Sequence, residues 1–320
     1  MAATVTLGHL YVSDFLNDAV DGFSINSSTG ALTAVGGSPL PLGGTPPGAG
    51  GLTMFVSGGG YLYATDLNAG KVAGFTFDPS SGKLTPVPGS PFPAGNTPVQ
   101  AVQEGLQSKF LYVSNLNDSA GGISAFTIGQ GTGALSPIPG SPFPTGSPGS
   151  FPGPSALVMS SNSKFLYVAL IGTASANNKI AAFAIDPISG GLTPVPGSPF
   201  VTGSDPLQMT LVPITLGPQG FLYTANVQDG TISAFTADDN TGVLTPVTGS
   251  PYTAGTSVGG LAATVASTSS GGYFLYAADS QANNIRAYAI DGNTGALSPI
   301  PGSPFPAGAA PMLLTVARVP

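Results

Sequence analysis

Few side chains in this sequence could act as a catalytic acid, base or nucleophile. The chain has one histidine, His9, one glutamate, Glu104, two arginines, Arg286 and Arg318, and no cysteine. Without cysteine there is no thiolate zinc site and no cysteine nucleophile. A Ser-His-Asp arrangement would need His9, which occupies a position that is aromatic in the other repeats, so we interpret it as a packing residue. The sequence predicts no catalytic residue, no metal ligand and no cofactor.

Aspartate and asparagine supply most of the remaining polar chemistry. One such residue follows the second strand of five of the six repeats described below: Asp14, Asp66, Asn115, Asn226 and Asp279. The same face of the predicted fold carries further carboxylates: Asp18, Asp21, Asp118, Asp205 and Asp229. Two interpretations stay open. These residues cap turns by accepting backbone N–H groups, or they bind Ca²⁺ or a polar small ligand at the mouth of a central channel.

The overall composition excludes several classes of protein. A net charge of −7 with seven basic residues cannot provide the basic surface that nucleic-acid binding needs. No apolar stretch approaches the roughly 18 residues of a membrane helix, so no membrane insertion is expected. No signal-peptide pattern is visible at the N-terminus, but the Thr-, Ser-, Asn- and Gly-rich surface favours an extracellular or cell-surface location.

The 47 glycines and 32 prolines are periodic, so they do not indicate disorder. A Leu-Tyr pair recurs with its tyrosine at positions 11, 63, 112, 167, 223 and 276. An aromatic residue and then a Gly-Ser-Pro motif follow each pair in phase. Six units of this kind predict six repeats, at approximately 9–60, 61–109, 110–164, 165–220, 221–273 and 274–320.

Each repeat is expected to form four short strands, A to D. In the third repeat, Ala101-Val102 lies in strand A, Phe110–Val113 in strand B, Ile123–Ile128 in strand C and Ala134–Ile138 in strand D. No window shows the period of a helix. We therefore predict one all-β domain over residues 1–320, a six-bladed β-propeller of four-stranded antiparallel blades.

The termini and the first repeat depart from this pattern. Residues 311–318 are expected to supply the ring-closing strand, which leaves residues 1–8, with Thr4–Leu7, as a spare N-terminal strand. Prolines two apart remove hydrogen-bond donors from the outer strand D of most repeats. Repeat one lacks both prolines and has Thr33, Ala34, Val35 and Gly36 there. This edge, or the N-terminal residues Thr4, Val5, Thr6 and Leu7, could therefore pair with another molecule.

The strand-B motifs carry a family resemblance. Phe-Leu-Tyr-Val-Ser-Asn at 110–115, Phe-Leu-Tyr-Thr-Ala-Asn at 221–226 and the Thr-Gly-Ala-Leu-Ser-Pro-Ile-Pro-Gly-Ser-Pro-Phe stretches at 132–143 and 294–305 resemble the lactonase-type, YVTN-repeat β-propellers, including secreted bacterial members. The resemblance covers nearly the whole chain. It implies a propeller, usually seven-bladed, and a lactonase-like activity associated with His, Arg and Glu residues.

Because so few such residues are present, the sequence favours a non-catalytic protein. We interpret it as an extracellular or cell-surface scaffold or interaction module that self-assembles or binds other surface proteins by strand pairing. The alternatives are a lactonase-like hydrolase or isomerase, as the resemblance implies, and a carbohydrate-binding propeller.

Overall fold

The computed structural model describes residues 6–14, 16–26, 29, 31–44, 46, 48–55, 60–104, 109–117, 122–145, 153–172, 178–214, 219–264 and 272–311. Over these residues the protein is all-β, as predicted, and its strands form six antiparallel sheets, here called blades one to six. No helix in these ranges is long and apolar enough to cross a membrane.

The chain forms two compact units, and blades one to three lie in the first of them, Met1–Pro144 with Ile188–Gly191. Blade one contains β1 to β4: Thr6–Asp14, Ala19–Asn26, Leu32–Ala34 and Leu40–Pro41. Blade two contains β5 to β9: Ala49–Phe55, Tyr61–Asp66, Lys71–Phe77, Leu84–Pro86 and Phe92–Pro93. Blade three contains β10 to β14: Pro98–Gln103, Phe110–Asn115, Gly122–Ile128, Leu135–Pro137 and Phe143–Pro144.

The second unit, Thr145–Pro187 with Leu192–Pro320, holds the strands of blades four to six. Blade four contains β15 to β19: Gly153–Met159, Phe165–Ile171, Lys179–Ile185, Leu192–Pro194 and Phe200–Val201. Blade five contains β20 to β24: Pro206–Pro213, Gln219–Asn226, Thr231–Asp238, Leu244–Pro246 and Tyr252–Thr253. Blade six contains β25 to β29: Val258–Thr264, Tyr273–Asp279, Asn284–Ile290, Leu297–Pro299 and Phe305–Pro306. The single domain over 1–320 stays a prediction.

The strand order within a blade is the predicted A-B-C-D, but the outer edge differs from the prediction. In blade two the order is β5-β6-β7-β8, and the two-residue strand β9 also pairs with β7. The outer edge is therefore one strand in two pieces. Blades two to six each have five strands instead of the four expected, because residues assigned to the D–A loop return to the sheet.

The Gly-Ser-Pro motif makes the bend between the two outer pieces. In blade two the Ser90 N–H donates to the Val87 carbonyl at 3.1 Å, and the Gly74 N–H of β7 donates to Ser90 Oγ at 2.9 Å. The serines at the equivalent positions accept the same bond in every blade: Ser38, Ser141, Ser198, Ser250 and Ser303. The serine thus satisfies the strand-C donor that the bend leaves unpaired, which explains why the motif recurs.

Strand B is apolar on both faces because both faces are covered. All six residues of β11 in blade three are buried. Leu111 and Val113 pack with Tyr63 and Val72 of blade two in one apolar cluster. Burying a large aliphatic side chain contributes about 1.5–3 kcal/mol, so these contacts between neighbouring blades dominate the core. Similar clusters join blades one and two, four and five, and five and six.

The tyrosines of four of the six Leu-Tyr pairs each add a hydrogen bond between neighbouring blades. Tyr63 donates its hydroxyl to the Gly133 carbonyl, in the C–D hairpin of blade three, at 2.8 Å. Three other tyrosines make the same bond with the next hairpin: Tyr11 with Gly82, Tyr112 with Gly190 and Tyr223 with Gly295. The ring is thereby buried with its hydroxyl satisfied, which is the condition for placing tyrosine in a core.

The described part of the N-terminal segment, Thr6 and Leu7, continues strand B of blade one and is not a separate strand. Thr6 and Leu7 belong to β1, the strand B of blade one, and Thr6 pairs with Asn26 of β2 across a β-bulge. They extend strand B because their backbone continues the ladder with β2. Thr4 and Val5 lie outside the described residues, as does the predicted closing segment Met312–Val316.

One face of blade one is open to solvent. Leu10, Val12 and Leu32 are 40%, 43% and 50% exposed, whereas the equivalent Leu62, Ala64 and Leu84 of blade two are 1%, 0% and 9% exposed because they pack on blade one. The predicted assembly edge shares this exposure: Thr33 and Ala34 of β3 and Gly36 are exposed, and Val35 is buried. Pairing of this edge with another molecule stays a prediction.

Candidate acidic site between blades one and two

The polar residues after strand B lie at the end of each blade that carries the B–C turns and the D–A connections. Asp14 is half-buried and caps its own turn: its two carboxylate oxygens accept from the Asn17 N–H at 3.1 Å and from Asn17 Nδ2 at 2.6 Å. This is the Asx role that such residues commonly play after a strand. Asp14 is therefore a turn residue.

Asn115 and Asn226 are fully buried and join strand B to strand C. Asn226 Nδ2 donates to Thr231 Oγ1 at 3.0 Å and to Ser233 Oγ at 2.9 Å. Asn115 Nδ2 donates to Ser124 Oγ at 2.9 Å. An amide serves here because it can donate to these hydroxyls, which a carboxylate cannot do.

Asp279 is fully buried and accepts four hydrogen bonds. Thr256 donates its N–H at 2.9 Å and its hydroxyl at 2.9 Å, and the N–H groups of Ser257 and Ala282 donate at 3.2 and 3.1 Å. Burial raises the pKa of Asp279, but these bonds outweigh it and hold the pKa below its ordinary value. Asp279 ties the D–A connection and the B–C turn to strand B.

Asp66 differs from these residues because a second carboxylate, Asp18, faces it. Both side chains are 2% exposed. A Cβ atom on Gly48 would lie 2.5 Å from Asp18 Oδ1 and 2.7 Å from Asp66 Oδ1, so the two carboxylates share one small space. Asp66 Oδ1 accepts from the Ala69 N–H at 2.9 Å, and Asp18 Oδ2 accepts from the Gly44 N–H at 2.8 Å. Within the described ranges, Asp18 Oδ1 and Asp66 Oδ2 have no hydrogen-bond partner.

Asp18 occupies a turn position that is glycine in blades two and five and Asn283, with φ of 53°, in blade six. It is the fourth residue after Asp14, in a left-handed conformation with φ of 52°. The fourth residue after Asp66 is Gly70, with φ of 67°, and the fourth after Asn226 is Gly230, with φ of 61°. Glycine adopts this conformation without strain, so an aspartate there is unusual. An aspartate at this turn position is the local sign in the sequence that singles out Asp18.

The environment of Asp18 favours retention of its proton. Burial raises the pKa of Asp18, the negative charge of Asp66 raises it further, and the Gly44 N–H bond opposes both. Two carboxylates that face the same small space resist being ionised together unless a cation compensates their charge. The pair can therefore hold one shared proton, deliver or accept it, or bind a cation.

The strain at Asp18 leads to a prediction about stability. We expect Asp18→Gly to raise the free energy of unfolding by about 1 kcal/mol near pH 7 in buffer free of divalent cations, since it removes the left-handed Cβ and the buried charge. Because the native pKa is raised, the contribution of Asp18 to stability is full below the ordinary carboxyl pKa and is lost as pH rises through the native pKa. The gain should therefore shrink as pH falls through the native pKa of Asp18 and level off below the ordinary carboxyl pKa, about 3.9. Urea unfolding measures it, and a less stable variant at neutral pH would contradict this account.

His9 and Glu104 make their contacts elsewhere in the described part of the chain. His9 packs edge-on against Phe77 with ring centroids 6.0 Å apart and approaches the Pro79 carbonyl at 3.4 Å, which are contacts of the kind expected for a packing residue. Glu104 accepts from the Lys109 N–H at 3.1 Å and caps the A–B turn. Arg286 lies in β27, and Arg318 lies outside the described residues.

A shared ligand site formed by the five predicted residues at a channel mouth stays a prediction. Within the described ranges no group of three His, Cys, Asp or Glu residues could hold a metal ion. Of the five candidates, Asp14, Asn115, Asn226 and Asp279 make local hydrogen bonds, and Asp66 pairs with Asp18. A separate groove of about 310 Å³ runs along the outer edges of blades one and two, and its lining includes Tyr11, Val35, Gly36 and Lys83.

Comparison with known proteins agrees with the fold and points to a family. The model of the family described as lactonase, 7-bladed β-propeller, matches residues 52–258 and 214–312. The described residues contain six sheets, one fewer than the blade number in that description. A comparison with curated proteins finds no match.

Solved structures share this fold. A protein of Bacteroides uniformis provisionally assigned as a 6-phosphogluconolactonase is 19% identical, with a TM-score of 0.72 over 94% of this chain and 83% of that one. The periplasmic gluconolactonase PpgL of Pseudomonas aeruginosa is 22% identical, with a TM-score of 0.59 over 78% of this chain and 68% of that one. Hydrazine synthase of Kuenenia stuttgartiensis is 14% identical, with a TM-score of 0.62 over 97% of this chain and 86% of that one. At these identities the likeness concerns the fold alone.

The interpretation as a non-catalytic scaffold is wrong. It relied on the scarcity of His, Arg and Glu, whereas the family match and the gluconolactonase-like neighbours favour the lactonase-like alternative. The physical reason for the error is that aspartate also supplies acid and base groups, and the sequence analysis treated the aspartates mainly as turn residues.

Proposed function

Because this chain belongs to the lactonase family of seven-bladed β-propellers, we propose that it is a hydrolase that opens a lactone, with a sugar lactone as the substrate class. The observation that carries the proposal is the family match over residues 52–312. The names of the two gluconolactonase-type neighbours support the substrate class. The Asp18–Asp66 pair is the candidate centre for the chemistry.

Lactone hydrolysis needs one group that takes a proton and one that gives a proton. A base removes a proton from water as the water oxygen attacks the carbonyl carbon, and an acid protonates the ring oxygen as the C–O bond breaks. A carboxylate pair with one shared proton supplies both groups and is restored when the proton is returned. Lactone and water are consumed, and one hydroxy acid is formed.

The burial of the pair decides what reaches it. Both carboxylates are 2% exposed, so a molecule that touches them directly must be about as small as water. Gly43 is exposed and Gly44 is partly exposed over the pair, without side chains that would keep a ring away. We place the lactone on this glycine surface, with the activated water between it and the carboxylates.

The test is ring opening of gluconolactone and 6-phosphogluconolactone, followed by acid release in weakly buffered solution. We expect turnover above the uncatalysed rate, and a decrease of at least about tenfold in kcat/KM for Asp66→Asn and for Asp18→Gly. Both replacements use residues that this chain has at equivalent positions, so the fold should tolerate them.

Asp186→Asn, which changes an exposed carboxylate before the C–D hairpin of blade four, is the control and should keep wild-type kcat/KM. Absence of turnover in the wild type on both lactones would contradict the function. If turnover survives Asp66→Asn, the hydrolase function stands, but the Asp18–Asp66 pair is not part of its mechanism.

A further inference from the structure

Two buried carboxylate oxygens without a partner are costly unless something absent from the protein chain meets them. Asp18 Oδ1 and Asp66 Oδ2 are both buried, and neither accepts a hydrogen bond. An unsatisfied buried charged group costs several kcal/mol, and two like charges side by side cost more. Native proteins rarely leave such groups uncompensated.

Asp279 shows what a completed carboxylate site looks like in this chain. At the equivalent position in blade six, both oxygens accept hydrogen bonds from the D–A connection and the B–C turn. At the junction of blades one and two, the connection presents Gly44 with a single N–H to Asp18 and leaves one oxygen of each carboxylate free. Among the residues that the structure describes, this junction therefore offers fewer donors to its carboxylates than the junction at Asp279 does.

The space around the pair is kept open by glycine. A Cβ on Gly44 would collide with Asp66 and would lie 2.8 Å from Asp18 Oδ2. A Cβ on Gly48 would collide with both carboxylates. Any other residue at either position would fill the space that the two carboxylates face, so the cradle is suited to a small species held between them.

We propose that Asp18 and Asp66 bind one divalent cation, with Ca²⁺ as the preferred ion. When Ca²⁺ displaces the proton that the pair otherwise shares, two ionised carboxylates match its charge, and hard oxygen ligands are those that Ca²⁺ selects. Ca²⁺ takes six to eight oxygens at about 2.3–2.6 Å, so water and backbone carbonyls complete the shell. Two carboxylates give a weak site, with a Kd of about 10⁻⁴–10⁻³ M, in the range of extracellular calcium modules.

The ion would join blade one to blade two. Asp18 lies in the B–C turn of blade one, and Asp66 ends strand β6 of blade two. Binding converts their mutual repulsion into attraction to a shared charge, and it links stability to calcium concentration. The inference stands apart from the proposed function because binding can be measured without any lactone.

Isothermal titration of the full chain with CaCl₂ near pH 7 tests the proposal. We expect one site per chain in the wild type and at least about tenfold weaker binding in Asp66→Asn and Asp18→Gly, with MgCl₂ binding more weakly than CaCl₂ in the wild type. Asp186→Asn should bind as the wild type does. A flat titration, or unchanged binding in Asp66→Asn, would overturn the proposal.

A second measurement covers the case in which one variant is poorly folded. About 10 mM CaCl₂ should raise the unfolding midpoint of the wild type and leave Asp18→Gly unchanged, although Asp18→Gly is the more stable protein without calcium. An equal shift in both proteins would show that calcium binds elsewhere. Calcium binding without lactone turnover would refute only the proposed hydrolase function. Lactone turnover without calcium binding would refute only the proposed cation site.

Discussion

Replacing Asp279 by alanine is expected to lower the free energy of unfolding by about 3 kcal/mol. The carboxylate is 0% exposed and accepts two bonds from Thr256 and one each from Ser257 and Ala282. Alanine leaves those N–H groups buried without an acceptor, and each such loss costs about 1–3 kcal/mol when no water replaces it. Chemical unfolding followed by tyrosine fluorescence measures the change.

The pH dependence of this loss has a definite sign. The native pKa of Asp279 is lowered, because its hydrogen bonds outweigh burial. Its contribution to stability is therefore complete above the ordinary carboxyl pKa, about 3.9, and is lost as pH falls through the native pKa. The difference between wild type and Asp279→Ala should be constant from about pH 5 upward and should shrink in acid.

Asp291 provides the matched control. It accepts two backbone N–H bonds, from Asn293 and Thr294, both at 2.9 Å, but its side chain is exposed. Water can replace these bonds, so Asp291→Ala should destabilise the protein much less than Asp279→Ala. Equal losses of stability in the two variants would mean that burial does not determine how much the Asp279 hydrogen bonds contribute.

Replacing Gly133 by alanine is expected to cost about 3 kcal/mol or more. Gly133 closes the C–D hairpin of blade three with φ of 70°, and a Cβ there would collide with the ring of Tyr61. Tyr61 is 7% exposed and packs in the core shared by blades two and three, so it cannot move away freely. The substitution therefore combines backbone strain with overpacking.

Gly131 lies in the same hairpin and separates the two causes. Its φ is 79°, and a Cβ there would meet nothing within 4 Å. Gly131→Ala should cost only the left-handed backbone strain, about 1–2 kcal/mol, so the two variants should differ by roughly 2 kcal/mol in urea unfolding. Similar losses for both would show that the contact with Tyr61 contributes little.

The sequence allowed the blades to be predicted because their signals are local and repeated. The apolar run Phe110–Val113 indicates a strand covered on both faces, and each hairpin has a glycine where a left-handed residue is needed. The second outer strand was missed because it has only two residues, such as Phe92–Pro93, and is recognisable only through its pairing with β7. Such a short segment carries no periodicity.

The candidate site was only half predictable. Asp66 was selected because it follows strand B, as Asp14 and Asp279 do, but nothing local distinguishes it from them. What distinguishes it is Asp18, which is 48 residues earlier in the sequence and comes into contact only when the two blades pack. The one local sign is an aspartate at a position where glycine is used in blades two and five.

The tyrosine bond between blades gives the repeat array a direction. Each donor precedes its acceptor by about 70 residues: 71 for Tyr11, 70 for Tyr63, 78 for Tyr112 and 72 for Tyr223. A ribosome releases the chain from the N-terminus, so in blades one, two, three and five the tyrosine hydroxyl lacks this partner until the hairpin of the following blade has emerged. Such a repeat can complete this hydrogen bond only after the next repeat has been synthesised. If translation stops early, the last complete blade lacks the bond to a following hairpin.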